Sequence, residues 1–270
     1  MNTPPARSPA DRFGVGLALF ALYIIWGSTY LAIRITVHGF PPLLMMGERF
    51  LLAGGILYAV LRLRGYPAPS RREWAGSFVV GALLLLGGNG MVAVAEQKVP
   101  SSLTATMIAT VPLWAAVFSG FWGRWPTRVE VSGLALGFAG VVLLNLEGSL
   151  RADPVGAAIL VVAATCWAFG SVWGTHLQLP SGLMAGAAEM LMGGCVIVLA
   201  GAAHGEHPVL PTGHSLLALL YLVVFGSLIA FSAYAFLLQR VRPALATSYA
   251  YVNPVVAVLL GVGLAREHVG

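Results

Sequence analysis

Apolar residues run through this chain in blocks of about twenty, parted by short polar or Pro- and Gly-containing stretches. Nine blocks can be drawn, over about 13–35, 43–63, 74–96, 101–122, 130–147, 155–176, 182–203, 215–238 and 243–265. A helix needs roughly 20 mostly apolar residues to cross a bilayer, so each block predicts a transmembrane helix. The linkers carry turn chemistry, as in Gly39-Phe40-Pro41-Pro42 and Trp125-Pro126-Thr127, and leave no room for a soluble domain. Residues 1–12, rich in Pro, Ala and Arg, are expected to form a disordered cytoplasmic tail. The apolar block behind them exceeds the 7–15 residues of a signal-peptide core, and no persuasive cleavage site follows.

The pattern repeats. Trp26 matches Trp167 and Glu48 matches Glu189 at an offset of 141. Gln97-Lys98-Val99 matches Gln239-Arg240-Val241 at 142, as do Leu103 and Leu245, Pro112 and Pro254, Arg124 and Arg266. Gly120 falls against Val262, so the match is partial. Five blocks separate each residue from its partner. An odd-numbered repeat starts its second copy from the opposite side of the membrane, so the copies are inverted. That is the plan of many secondary transporters, with the substrate site between the repeats near the midplane. The fold class is therefore an all-α polytopic membrane protein built from an inverted repeat of five helices each. The first copy spans 13–150 and the second 151–270. The second copy supplies four helices, which predicts a tenth beyond this chain, a true nine-helix protein being the alternative that the repeat argues against.

Composition agrees with the membrane reading. Hydrophobic residues make up 58% and charged residues 9% of the 270, against about 25% charged in a soluble domain. The net charge of +5 reflects loops that set topology rather than a nucleic-acid partner. With the N-terminus in the cytoplasm, that side carries Arg7, Arg12, Arg62, Arg64, Arg71, Arg72, Arg124, Arg128, Arg240 and Arg242, ten of the 15 Lys and Arg. The outer side carries Lys98, Arg151 and Arg266, with Arg34 near it. Cys166 and Cys195 lie within apolar blocks and read as small core residues, not a disulfide.

Several residues could carry chemistry. Trp26, Tyr30 and Arg34 are spaced i, i+4, i+8 on one helical stripe, with Tyr23 one turn earlier. Such a stripe either packs or lines a cavity, and Trp167 is its repeat partner. Pro112 and Pro254 sit mid-block. Each removes a backbone donor and crowds the carbonyl of Ile108 or Ala250, as a structural kink or as a hinge. Thr106, Thr110, Ser248, Tyr249, Tyr251 and Asn253 are near enough to satisfy what the prolines free. Asn89, in Gly87-Gly88-Asn89-Gly90, needs partners at membrane depth, either a neighbouring helix or a ligand. Glu48, Arg49 and Glu189 are the ionisable residues furthest from the ends, and intramembrane charges are functional-site candidates. Pairing of Glu48 with Arg34 would leave Arg49 for a substrate carboxylate. Gly133-x-x-x-Gly137 and Gly140 read as close helix packing. His204, His207 and His214 fall in an outer loop and read as solvated. No phosphate loop, zinc pair or nucleophile–base motif is present, so no metal, cofactor or enzymatic role is expected.

Trp26-Gly27-Ser28-Thr29-Tyr30, Glu48-Arg49-Phe50 and Tyr251-Val252-Asn253-Pro254 resemble the EamA-type drug/metabolite transporters and, within them, exporters of aromatic amino acids. The resemblance covers about Phe13 to Glu267. It implies ten helices and a central cavity lined by the first, third, fourth, sixth, eighth and ninth. It also implies export of a small molecule across the bacterial inner membrane by alternating access. The chain departs from the family in ending before helix ten. A second departure is Arg124-Trp125-Pro126-Thr127, where a Gly-Glu loop is common. Together with the repeat symmetry, the resemblance makes Trp26, Tyr30, Asn89, Thr110, Trp114, Trp167, Tyr249, Tyr251 and Asn253 candidate substrate contacts. The expected cargo is a hydrophobic or aromatic amino acid or a related amphipathic compound. A channel-like facilitator, a multidrug exporter and, further off, an intramembrane enzyme are the alternatives.

Overall fold

A computed structural model of the protein describes residues 9–144, 153–210 and 213–265. Among these, nine helices and no strands occur. They are α1 (Pro9–Val37), α2 (Pro42–Leu63), α3 (Arg71–Ala95), α4 (Ser101–Phe121), α5 (Arg128–Leu144), α6 (Pro154–Gly174), α7 (Leu183–Ala203), α8 (Gly213–Leu238) and α9 (243–265). All but α5 are long and apolar enough to cross a membrane, and α5 is described over 17 residues. Helix α1 begins at Pro9, inside the stretch expected to be a tail. The rest of that tail, residues 145–152, Arg266 and the expected tenth helix lie outside the described residues.

Local signals start the helices where the blocks predict. Ser70 and Glu73 form a reciprocal capping box ahead of α3, and Thr127 with Glu130 does the same for α5. The Asp153 carboxylate accepts from the Gly156 amide at 2.8 Å to open α6. These bonds satisfy amides that have no partner inside the helix. The amides of Leu43 and Leu44, at the start of α2, donate instead to Glu206 in the α7–α8 loop, at 3.2 and 2.8 Å. One carboxylate thus ties the second repeat to the first.

Four helices are irregular, and they are repeat mates. Helices α3 and α8 widen into π-helix over Ala82–Gly90 and Leu222–Ile229. Helix α4 breaks at Ala109-Thr110 and α9 at Thr247-Ser248. Pro112 opens the second piece of α4, whereas Pro254 sits inside the continuous Tyr249–Ala265 piece of α9. At the breaks, hydroxyls take up carbonyls. Thr110 donates to Met107 at 2.8 Å, Thr247 to Pro243 at 2.9 Å and Ser248 to Leu245 at 2.9 Å.

Close backbone approach holds the bundle together, as expected where lipid removes the hydrophobic drive between helices. Helix α7 crosses α2 and α3 on glycines. A Cβ on Gly54 would lie 2.9 Å from the Leu191 amide, and one on Gly193 2.7 Å from the Gly81 carbonyl oxygen. Helix α5 lies at the edge, against α9. The expected glycine packing of α5 is met only at Gly137, which holds the Tyr251 ring, because nothing lies within 4 Å of a Cβ on Gly133 or Gly140. Both cysteines are free.

The adjacent Gly54 and Gly55 of α2 give a direct test, because nothing lies within 4 Å of a Cβ on Gly55. Alanine improves helix propensity at both positions by about 1 kcal/mol. Gly55→Ala should leave the melting temperature unchanged or higher. Gly54→Ala should lower stability by about 1–3 kcal/mol through overpacking. Equal melting temperatures for the two variants would contradict the α2–α7 crossing.

Candidate functional site

Trp26, Thr29, Tyr30 and Ile33 of α1 recur at i, i+3, i+4 and i+7 and so share one face. That face meets Gly88, Asn89 and Val92 of α3, Ile108 of α4, Ala163 and Trp167 of α6, and Tyr249 of α9 around a cavity of about 40 Å³. Such a space holds a few waters and is far below the roughly 300–1,000 Å³ of ligand pockets.

Aromatic side chains fill the centre. The Trp26 and Trp167 rings meet edge to face with centroids 5.4 Å apart, and Trp26 lies 5.1 Å from Tyr234 and 4.7 Å from Tyr249. The Trp167 indole N–H donates to the Tyr234 hydroxyl at 3.1 Å, and that hydroxyl shares a 2.6 Å hydrogen bond with Ser171. The Trp26 indole N–H donates to the Gly226 carbonyl at 3.1 Å, within the π-helical stretch of α8. Trp167 in turn lies on Gly88 in the π-helical stretch of α3, where a Cβ would come within 2.6 Å of the ring. Each tryptophan therefore meets a glycine of the other repeat's irregular helix, Trp167 by packing on Gly88 and Trp26 by a hydrogen bond to the Gly226 carbonyl.

Five of the nine candidate contacts, Trp26, Tyr30, Asn89, Trp167 and Tyr249, are brought to this cavity. The other four are not among its walls. Thr110 is spent on the break in α4. Trp114 is half-buried and stacks on Phe118 at 6.3 Å. Tyr251 packs on Gly137, two positions and therefore about 200° from Tyr249. Asn253 is buried, with neither amide atom hydrogen-bonded among the described residues. Tyr234 and Gly226 escaped the sequence reading. Tyr234 is one of two tyrosines in its apolar block, and its repeat position at an offset of 142 is Val92, so symmetry does not reveal it.

The charged candidates separate. Arg34 donates to the Val99 carbonyl at 2.7 Å. Glu48 is half-buried, with no hydrogen bond or ion pair among the described residues, so the expected Glu48–Arg34 pair is not formed. Arg49 is buried. Its Nε donates to Ser227 at 2.7 Å, and its guanidinium lies 4.7 Å from the Phe50 ring centroid. It does not wall the cavity but braces the π-helical stretch of α8 from behind, where Gly226 leaves it room. Glu189 instead lines a second space of about 570 Å³, with Arg124, Arg240, Arg242 and the α6–α7 loop. This vestibule opens at the arginine-rich end. There Arg242 pairs with Glu130 at 3.1 Å, and Gln239 both donates to and accepts from the backbone of Gly182.

Tyr234→Phe should lower stability by about 1–3 kcal/mol, because it leaves the buried Trp167 N–H without an acceptor. Tryptophan fluorescence during thermal unfolding reads the change. An unaltered transition would contradict the hydrogen bond at the hub.

Comparison with known proteins follows this geometry. Residues 12–146 and 154–270 each match the EamA-like transporter family. The chain is 52% identical over 252 residues to the uncharacterized inner membrane transporter YedA of Escherichia coli K12, covering 93% of this chain and 82% of that one. It is 27% identical over 265 residues to the probable amino-acid metabolite efflux pump of Salmonella typhimurium, covering 91% and 87%. A solved crystal structure superposes with a TM-score of 0.73 at 23% identity, over 94% of this chain and 88% of that one, which shows a shared fold. Two family matches in tandem on an all-helical bundle of inverted repeats place this chain in the EamA-like transporter family.

Proposed function

We propose that this transporter exports small amphipathic metabolites, hydrophobic and aromatic amino acids foremost, across the bacterial inner membrane by alternating access. The observation that carries the reading is the central cavity. It lies between the repeats and is walled by aromatic rings, with Asn89, Thr29 and Tyr30 as its polar members and no Lys or Arg. Ligand sites are mostly apolar with a few placed polar groups. The absence of cations from these walls disfavours a polyanion and suits a neutral or zwitterionic molecule with an apolar side group. The name of the Salmonella relative, an amino-acid metabolite efflux pump, points the same way.

The arginine-rich end faces the cytoplasm in this reading. The vestibule is then open to the cell interior while the aromatic cluster closes the centre. Inverted repeats supply the complementary state by exchanging roles. The breaks in α4, beside Pro112, and in α9, at Thr247-Ser248 ahead of the piece that carries Pro254, are the places where the helices bend.

Proteoliposomes test this. Leucine and phenylalanine should show saturable uptake and counterflow. Trp26→Ala and Trp167→Ala should each cut the flux roughly tenfold, equivalent to about 1.4 kcal/mol, while the protein stays folded. Pro112→Ala, which permits a straight α4, should slow exchange without loss of folded protein. Flux that does not saturate, or both tryptophan variants transporting like the parent, would overturn the reading.

A further inference from the structure

The vestibule holds a carboxylate without a partner. Glu189 is 4% exposed and lies six residues, about 9 Å, into α7. Among the described residues it makes no hydrogen bond and no ion pair, yet it lines a space of about 570 Å³, a volume typical of ligand pockets. A carboxylate so placed is costly unless a cation or donor meets it. The protein's own cations nearby stay on the rim. Arg242 is held by Glu130, and Arg240 lies over the Phe236 ring at 3.9 Å. Arg124 is exposed at the same rim.

We infer that the vestibule is a binding site separate from the central cavity, in which Glu189 receives the ammonium group of a zwitterionic amino acid. The charges make the selection. Three arginines at the mouth repel a bare organic cation and attract a carboxylate. The carboxylate at the floor calls for a cation. A molecule with both groups meets both, and Val80 and Ala235 in the wall offer apolar surface to its side chain. This site rests on the reading of the cargo as an amino acid.

The test is equilibrium binding of three probes to the purified full chain in nanodiscs. These are phenylalanine, phenylalaninamide, which lacks the carboxylate, and 3-phenylpropionate, which lacks the ammonium. Phenylalanine should bind the parent roughly tenfold or more tightly than either analogue, the scale of one charge-assisted hydrogen bond. Glu189→Gln should bring phenylalanine down to the level of 3-phenylpropionate and leave the latter unchanged. Glu189→Asp, which keeps the charge, should retain tighter binding than Glu189→Gln. In the parent, modification of Glu189 by dicyclohexylcarbodiimide, read by mass spectrometry, should slow with phenylalanine present and not with 3-phenylpropionate. Phenylalanine binding to Glu189→Gln as to the parent, equal binding of phenylalanine and 3-phenylpropionate, or no protection of Glu189 would each overturn the vestibule site. None of these touches the exporter reading, which stands or falls on counterflow.

Discussion

One tryptophan from each repeat meets the other edge to face, with ring centroids 5.4 Å apart. Such a contact is worth only about 0.5–1.5 kcal/mol beyond the area it buries, yet much of the interior is arranged around it. The Trp167 indole fits because α3 presents Gly88 at its π-helical stretch, and the Trp26 indole is anchored on the Gly226 carbonyl in that of α8. Tyr234 then bonds Trp167 and Ser171, bringing α8 against α6. With Tyr249, these rings leave only a small central cavity beside them. In lipid, where apolar side chains gain little by leaving one apolar medium for another, interlocking of this kind decides how helices sit.

The irregular backbone around the cluster is tolerated because its polar groups are answered inside the protein. A spanning helix cannot leave a carbonyl to hydrocarbon. Threonine and serine hydroxyls cover the breaks in α4 and α9, and the Trp26 indole takes the Gly226 carbonyl. π-helical turns and broken helices cost stability and recur at functional sites. Here all four lie on repeat-related helices, and three of them, α3, α4 and α9, carry cavity walls. The fully buried Arg49 serves the same end, supporting Ser227 with a guanidinium that meets no carboxylate among the described residues.

Much of this was legible from the chain alone. Block length located the helices to within a few residues, because the bilayer sets a minimum apolar span. The offset between Trp26 and Trp167 identified the two residues that meet at the centre. Helical phase was harder. Trp114 and Tyr251 sit on helices that do reach the cavity, but on faces turned to other neighbours, and identity alone does not set phase in an all-apolar segment. Pairing across helices was harder still. Arg34 bonds a carbonyl beyond α3 instead of Glu48, since both sequence neighbours and repeat mates are silent on lateral packing. The Thr127–Glu130 box, by contrast, explains how α5 starts without the loop common in the family.

In the exporter reading, the aromatic cluster separates the vestibule from the cavity, so that the interior is reached from one end at a time. Thiol labelling measures this in Cys166→Ser, Cys195→Ser protein reconstituted in vesicles. Thr29→Cys probes the cavity and Thr175→Cys marks the vestibule side. A hydrophilic maleimide applied from the side that labels position 175 should react with position 29 at least about tenfold more slowly. Adding Tyr234→Ala, which removes the hub, should abolish the difference. Equal labelling of positions 29 and 175 with Tyr234 in place would contradict the claim.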